Sequence, residues 1–327
     1  MKRLMMLIVL VLAGCGNREP EQAATSKVSI GEIVEQVNSS GMLTDQQADN
    51  LSRLYDRQFQ RNPFSQPLTV RGLTSITDRQ ADILSKVEKL SLIGLTSITN
   101  RQAESLSEIN ELRLSGLTSI TETQAESLSQ VQILDLTDLT SITDRQAKSF
   151  SKVKSLNLGG LTSITDQQAE SLSKVKHLSL DSLIAITDSQ AESLGNVKRL
   201  YLDGLVSITD QQSKSLCEVE NLGLAGLTSI TDTQAESLGK TETLFLNSLT
   251  SINDQQAESL SNVEYRLSLR GLTSITDKQA ERLGKVKHLD LDGLTSLSDK
   301  QAEHLSKAKA LRLAEHLQPL IDKYKQQ

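Results

Sequence analysis

The string Gly-Leu-Thr-Ser-Ile-Thr begins at Gly72 and returns at Gly94 and Gly116. Close variants start at Asp138, Gly160, Ser182, Gly204, Gly226, Ser248, Gly271 and Gly293. The step is 22 residues throughout, apart from one of 23 between Leu249 and Leu272, where Tyr265-Arg266 stands in place of a single residue. A fixed period of this length restricts the chain to a stack of like supersecondary units, because each copy meets its neighbours in the same way. Eleven copies are evident, and a degraded twelfth precedes them. Its two halves, Leu43-Thr44-Asp45-Gln46-Gln47-Ala48 and Leu68-Thr69-Val70, lie on either side of an insertion.

One copy, Val87 to Ser107, shows the physics. Leu90 and Leu92 are two apart and point to one side of an extended segment, so Lys89, Ser91 and Ile93 point to the other. Gly94 is expected to permit a turn, after which Leu95 and Ile98 carry the apolar set around a corner. Thr99 followed by Gln102 is the capping-box pattern that opens a helix and satisfies two orphan amides. Ala103 and Leu106 then fall at helical spacing, and Ile109 closes the loop. A single copy cannot offset the entropy of ordering its own chain. Stacking changes this, because neighbours cover one another's apolar faces and supply strand hydrogen bonds. Parallel strands about 4.8 Å apart give twelve copies an arc of roughly 55 Å.

The open ends of such a stack need covers, since an exposed sheet or core edge invites aggregation. Ile30, Ile33, Val34 and Val37 sit at helical spacing, and a second helix is expected around Gln46 to Gln58, making residues 28–66 an N-terminal helical cap with the degenerate repeat. The repeats proper occupy 67–313. Leu317, Leu320, Ile321 and Tyr324, with Pro319 near the start, predict a capping helix over 314–327.

The pattern Val87-x-x-Leu90-x-Leu92-x-x-Leu95-x-x-Ile98-Thr99-Asn100 resembles the leucine-rich repeat, and within it the cysteine-containing subtype. That subtype carries a cysteine where this chain has Leu95, Leu117 and Leu139, and leucine is an adequate apolar substitute. The Ile-Thr-Asp run is kept at Ile76-Thr77-Asp78, Ile142-Thr143-Asp144 and Ile208-Thr209-Asp210. The variant also resembles repeats of planctomycete-type bacterial envelope proteins. The resemblance covers about residues 43–313. It implies an α/β leucine-rich-repeat solenoid with a parallel β-sheet on the concave face, short helices on the convex face and helical caps. It says less about function, because this fold serves many partners.

Residues 1–15 read as a targeting segment: Lys2 and Arg3 precede an apolar run, Leu4 to Leu12, too short to span a bilayer comfortably. Leu12-Ala13-Gly14-Cys15 resembles the bacterial lipobox. By that resemblance Cys15 becomes the acylated mature N-terminus, and several acyl chains hold a protein firmly on a membrane. Gly16 after the cysteine resembles the outer-membrane sorting choice, so the expected address is the cell envelope, lipid-anchored, at the outer membrane. An ordinary secretory signal with an incidental cysteine is the alternative. Residues 16–27, poor in apolar groups, read as a flexible tether.

A formal net charge of −6 argues against a nucleic-acid partner, which would want a basic stripe. With Cys15 lipidated, Cys217 is left alone as an inert thiol and no disulfide framework exists. His304 and His316 lie outside the variable strand positions and read as solvated. His288, Asp290 and Asp292 share one side of a strand and have metal-ligand chemistry, but a polar surface patch is the favoured reading. No Gly-x-Ser-x-Gly and no phosphate loop occurs. The aspartates at each helix start serve capping and the helix dipole. The expectation is a non-enzymatic protein using no cofactor and no metal.

Most helix positions, including Glu104-Ser105 and Glu170-Ser171, are read as solvent-facing yet nearly constant, which suggests recent duplication. The outward strand positions vary: the residue between the paired leucines runs Ser, Arg, Asp, Asn, Ser, Tyr, Gly, Phe, Ser, Asp, Arg from Ser91 to Arg312. In leucine-rich repeats these positions line the usual ligand face. The resemblance therefore places a protein or peptide partner on the C-terminal half of that face. Tyr201 and Phe245 are the expected anchors. Arg199, Asp203, Arg266, Arg270, His288, Asp290 and Asp292 would set orientation by charge, with His177, Thr243 and Asn247 beside them. A structural envelope scaffold without a specific ligand is the alternative, and the oligomeric state is left open.

Overall fold

The structure, a computed structural model, describes residues 28–325. The targeting segment, the tether and Cys15 lie outside the described residues. Within them the chain is a leucine-rich-repeat solenoid: twelve strands form one sheet in chain order, each parallel to the next and in matching register. A seven-residue helix follows each strand until the last, as in Asp166–Leu172 after Ser155–Asn157.

Each element forms where the repeat chemistry puts it. Thr165 is an extended N-cap whose hydroxyl accepts from the Gln168 amide, while the Gln168 side chain accepts from the Thr165 amide. The helix then presents Ala169 and Leu172 inward, and both are fully buried. Val175 fills the turn back to the strand. Leu178 and Leu180 supply the strand's inner face, and Leu183 with Ile186 turns the corner. Stacked copies merge these groups into one continuous aliphatic core, which includes one aromatic substitution, Phe150, at the place of a helix leucine.

Two polar ladders run along the stack. Each repeat's capping glutamine also donates its Nε2 to a carbonyl of the preceding repeat, as Gln102 does to Ile76 and Gln212 to Ile186, both at 2.8 Å. Most N-cap side chains reach back to the residue that opens the previous helix, as the Thr187 hydroxyl does to the Asp166 carboxylate at 3.0 Å and Thr121 to the Asn100 amide oxygen at 3.1 Å. The helix-start aspartates therefore tie neighbouring copies together as well as complementing their own helix dipole.

The turn expected at Gly94 forms, but not through a left-handed backbone: among the described glycines only Gly41, which caps the first helix, has a positive φ. At Gly94 the backbone instead passes so close to the carbonyls of Arg71 and Leu73 that a Cβ would collide with them. Ser105 is not solvent-facing: it is buried between stacked helices, and its hydroxyl donates to Asp82 of the previous copy. This contact is particular to the copy that follows Asp82: the equivalent Ser127 and Ser149 donate to carbonyls of their own helices, Thr123 and Arg145, both at 3.2 Å.

At the N-terminal end, helices α1 (Ile30–Ser40) and α2 (Asp45–Arg61) cover the core with Ile33, Val37, Leu51 and Tyr55. Asn38 accepts from the amides of Arg71 and Gly72, both at 2.8 Å, and so fixes α1 to the first full repeat. At the other end a single 3-10 turn, Glu315–Leu317, leads into the helix Gln318–Lys325, which buries Ile321. Among the described residues no helix is long and apolar enough to cross a membrane.

Candidate binding surface on the parallel sheet

The sheet's inner face is sealed by its leucines, so its outer face is built from what each three-residue strand presents on the other side. In the row between the paired leucines, register sets Tyr201 beside Gly223 and Gly223 beside Phe245. The two expected anchors are therefore two strand spacings apart, about 10 Å. The Tyr201 ring leans over Gly223, where a Cβ would lie 2.6 Å from its Cδ1. A side chain at 223 would lift that ring.

Tyr201 belongs with residues toward the N-terminus. It lines a shallow depression of about 220 Å³ with Arg113, Ile133, Asp135, Asn157 and His177. Ile133 is 39% exposed, an uncovered aliphatic group in the middle of a polar face. Burial, followed by the cations Arg199, Lys154 and Lys176, holds the His177 imidazole below its ordinary value, which favours the neutral ring. Asp203 lies two residues past Tyr201, in the turn that follows its strand, and accepts from the Ala225 amide at 2.9 Å. Burial pushes its carboxyl up, and Asp181 adds to this, against the Ala225 hydrogen bond.

A second patch lies further along. Arg266 sits 6.0 Å from the Phe245 ring. Tyr265, the inserted residue of the 23-residue step, packs against His288 with ring centroids 4.4 Å apart and the planes tilted by 36°. Arg266, His288, Asp290, Ala310 and Arg312 line a small depression of about 120 Å³. The charges here are paired among themselves: Arg270 Nε with Asp290 at 2.8 Å, and Arg312 with Asp292 at 3.3 Å.

The surface thus differs from its sequence reading in several places. Asp290 is only 2% exposed, because the longer Arg270 side chain from the neighbouring strand folds over it. It is a covered carboxylate and does not stand free to orient a partner. Thr243 is likewise buried. Asn247 is taken up by the Ser268 hydroxyl at 2.6 Å. Asp203 is engaged by backbone. Arg199, Arg266 and Arg270 are exposed, and His177, Tyr201, Phe245, His288 and Asp292 are half-buried. Among the described residues no group of three or more His, Cys, Asp or Glu side chains converges to hold a metal ion, and Asp290 is paired with Arg270. His304 is half-buried rather than solvated, with its Nδ1 enclosed and without a partner. Burial, with Glu218 next to it, pushes the Cys217 thiol up, which keeps it protonated and unreactive.

Ile133 and Arg312 stand at outward strand positions in the sequence but are not among its candidate binding residues, and Tyr265 is not read there as part of the face. For Ile133 the signal was present: a bulky aliphatic at an outward strand position. For Tyr265 it was the extra residue in the repeat.

No protein-family model matches the chain, and no curated protein matches it at a significant level. Solved structures do match in fold. An internalin (inlF) from Listeria monocytogenes is 16% identical, with a TM-score of 0.53 over 89% of this chain and 86% of the internalin. TLR13, in a complex with ssRNA13, is 18% identical with a TM-score of 0.50, over 84% of this chain and 38% of TLR13. Toll from Drosophila, in its complex with Spatzle, is 15% identical with a TM-score of 0.51, over 79% of this chain and 41% of its own. These likenesses agree with the repeat geometry in making the fold a leucine-rich-repeat solenoid.

Proposed function

We propose that the protein is a non-enzymatic, lipid-anchored component of a bacterial cell envelope, attached through Cys15 at the outer membrane, whose sheet face docks a protein or peptide. In this reading 1–15 is a cleaved lipoprotein signal, 16–27 a tether, 28–66 and 314–327 caps, and 67–313 the binding solenoid. The observation that carries it is the contrast across one sheet. The buried leucines are uniform, whereas the outer face presents exposed Ile133 and Tyr265 and half-buried Tyr201 and Phe245 beside arginines. Aromatic and arginine side chains around shallow apolar depressions are the usual material of interface hot spots. The solved neighbours in complexes with a protein and with RNA support a recognition role for the fold in general. For this chain a protein is favoured over a nucleic acid, because the net charge is −6 and the sheet-face arginines Arg113, Arg270 and Arg312 are already paired with carboxylates.

That same internal pairing favours a second reading, a structural spacer with a self-satisfied face. Crosslinking on cells separates the two. Proteins captured by the wild-type chain should be lost with Tyr201→Ala/Phe245→Ala and retained with a helix-side control such as Glu126→Ala. An unchanged set of partners would refute sheet-face docking. Labelling with a radioactive fatty acid tests the anchor, which requires that Cys15→Ala abolish incorporation.

A further inference from the structure

Where each helix turns back into a strand, one small residue such as Val153, Val175, Val197 or Val219 is buried and its two flanking residues face outward. These flanking pairs line one long edge of the solenoid, apart from the sheet face. Their charges are sorted into blocks. Lys152, Lys154, Lys174, Lys176 and Lys198 come from three successive repeats. The next three repeats place Glu218, Glu220, Glu242 and Glu264 along the same edge, with Lys240 as the one cation among them. Lys285, Lys287, Lys307 and Lys309 follow, while the N-terminal stretch of the edge carries Glu88 and Glu108 with Lys86 and then uncharged Gln130 and Gln132.

Where the two central blocks meet, Lys198 Nζ lies 2.6 Å from Glu220. Among the described residues the other members of those blocks make no ion pair within the chain. Parallel register sets equivalent lysines of successive repeats one strand spacing apart, about 5 Å, so each block repels itself until an opposite charge covers it.

A two-fold axis across this edge, passing between Lys198 and Glu218, lays the basic block of one copy on the acidic block of the other, and by symmetry the reverse. The same axis brings the Lys285–Lys309 block opposite the stretch that holds Glu108. A parallel, unshifted arrangement puts like on like. We propose that two copies of this chain associate antiparallel along this edge, as a closed, self-complementary dimer selected by charge order. An anionic membrane is a poorer occupant, because the acidic block in the middle of the edge would be pressed against like charge. The inference is independent of what docks on the sheet.

The test uses the full chain in a non-ionic detergent, followed by sedimentation velocity. In about 0.1 M salt it should sediment as a dimer. In about 1 M salt, where the screening length falls to about 3 Å, the dissociation constant should rise by about tenfold or more. The variants K152E/K154E/K174E/K176E and E218K/E220K/E242K/E264K should each be monomeric, and an equimolar mixture should give a heterodimer. Recovery on mixing shows that both variants are folded. Wild type that is monomeric in low salt, variants that dimerise alone, or a mixture that stays monomeric would each overturn the proposal. So would wild type that is monomeric while its lysines bind phosphatidylglycerol vesicles.

Discussion

Gln168 donates its Nε2 to the carbonyl of Ile142 in the preceding repeat at 2.8 Å, while its Oε1 accepts from the amide of Thr165 at 3.0 Å. One buried side chain thus closes its own helix and bonds to the neighbouring copy. Glutamate serves the first role equally well in a capping box, but an ionised carboxylate has no donor for the second. This explains why every repeat from Gln80 to Gln301 carries glutamine at this place.

Gln168→Glu should therefore destabilise the chain by about 1–3 kcal/mol at neutral pH, the cost of leaving a buried acceptor unpaired. The new carboxyl is disfavoured in its charged form, so its folded pKa lies above its unfolded one. The lost stability should return as pH falls through the folded value, where the protonated group can donate. Urea denaturation at neutral and acid pH reads both. A variant as stable as wild type at pH 7 would show that the ladder adds nothing.

Arg270 covers Asp290, and its removal should cost more than the loss of an ordinary surface pair. Arg270→Ala leaves a carboxylate that is 2% exposed without its partner, whereas the arginine itself is 42% exposed. Water entering along the arginine's path moderates the penalty, so about 1–3 kcal/mol is expected. Arg312→Ala, whose partner Asp292 is more open, should cost under about 1 kcal/mol. Equal effects of the two substitutions would refute the covered-carboxylate description.

The period and the capping box made the solenoid legible in the sequence, because both are relations inside one copy. What lay hidden were relations between copies. Nothing in a single repeat tells that Ser105 reaches Asp82, that Gln168 reaches Ile142, or that Arg270 leans over Asp290. The outward row of strand residues was read correctly as a row, yet register also decides which neighbour covers which. Thr243 sinks between longer side chains while Ile133 stands clear. Tyr201 and Phe245 were paired as anchors in the sequence reading. The sheet separates them with Gly223, setting Tyr201 at the edge of one depression and Phe245 against Arg266.

His177 and Asp203 should make opposite contributions to stability as pH falls. His177 is held below its ordinary value by burial and then by Arg199, Lys154 and Lys176, so the unfolded chain takes up its proton first. Stability is lost as pH falls through the unfolded value of about 6.5 toward the lower folded one. Asp203 is raised by burial, so its folded form protonates first, and acidification through that value relieves a penalty present at neutral pH. His177→Gln should flatten the stability curve near pH 6, and Asp203→Asn should flatten it at more acid pH. An NMR titration midpoint for His177 at or above the ordinary histidine value would contradict the first claim.

Deleting Tyr265 should leave the solenoid intact and alter only the sheet face. The extra residue is absorbed at the strand entrance, where the amides of Tyr265 and Arg266 both donate to the Glu242 carbonyl, at 2.8 and 3.1 Å. Strand register on both sides is undisturbed. After deletion Glu264 takes over the carbonyl that now accepts from His288, as Lys154 does for His177 in an ordinary repeat. The tyrosine is 46% exposed, so little core area is lost, and the stability change should stay within about 0.5 kcal/mol. His288, however, loses the tilted ring packed against it at 4.4 Å. Its ring protons should lose the ring-current shift in an NMR spectrum while circular dichroism stays the same. Unfolding on deletion, or His288 resonances that do not move, would show that the insertion does something other than place an aromatic ring on the sheet face.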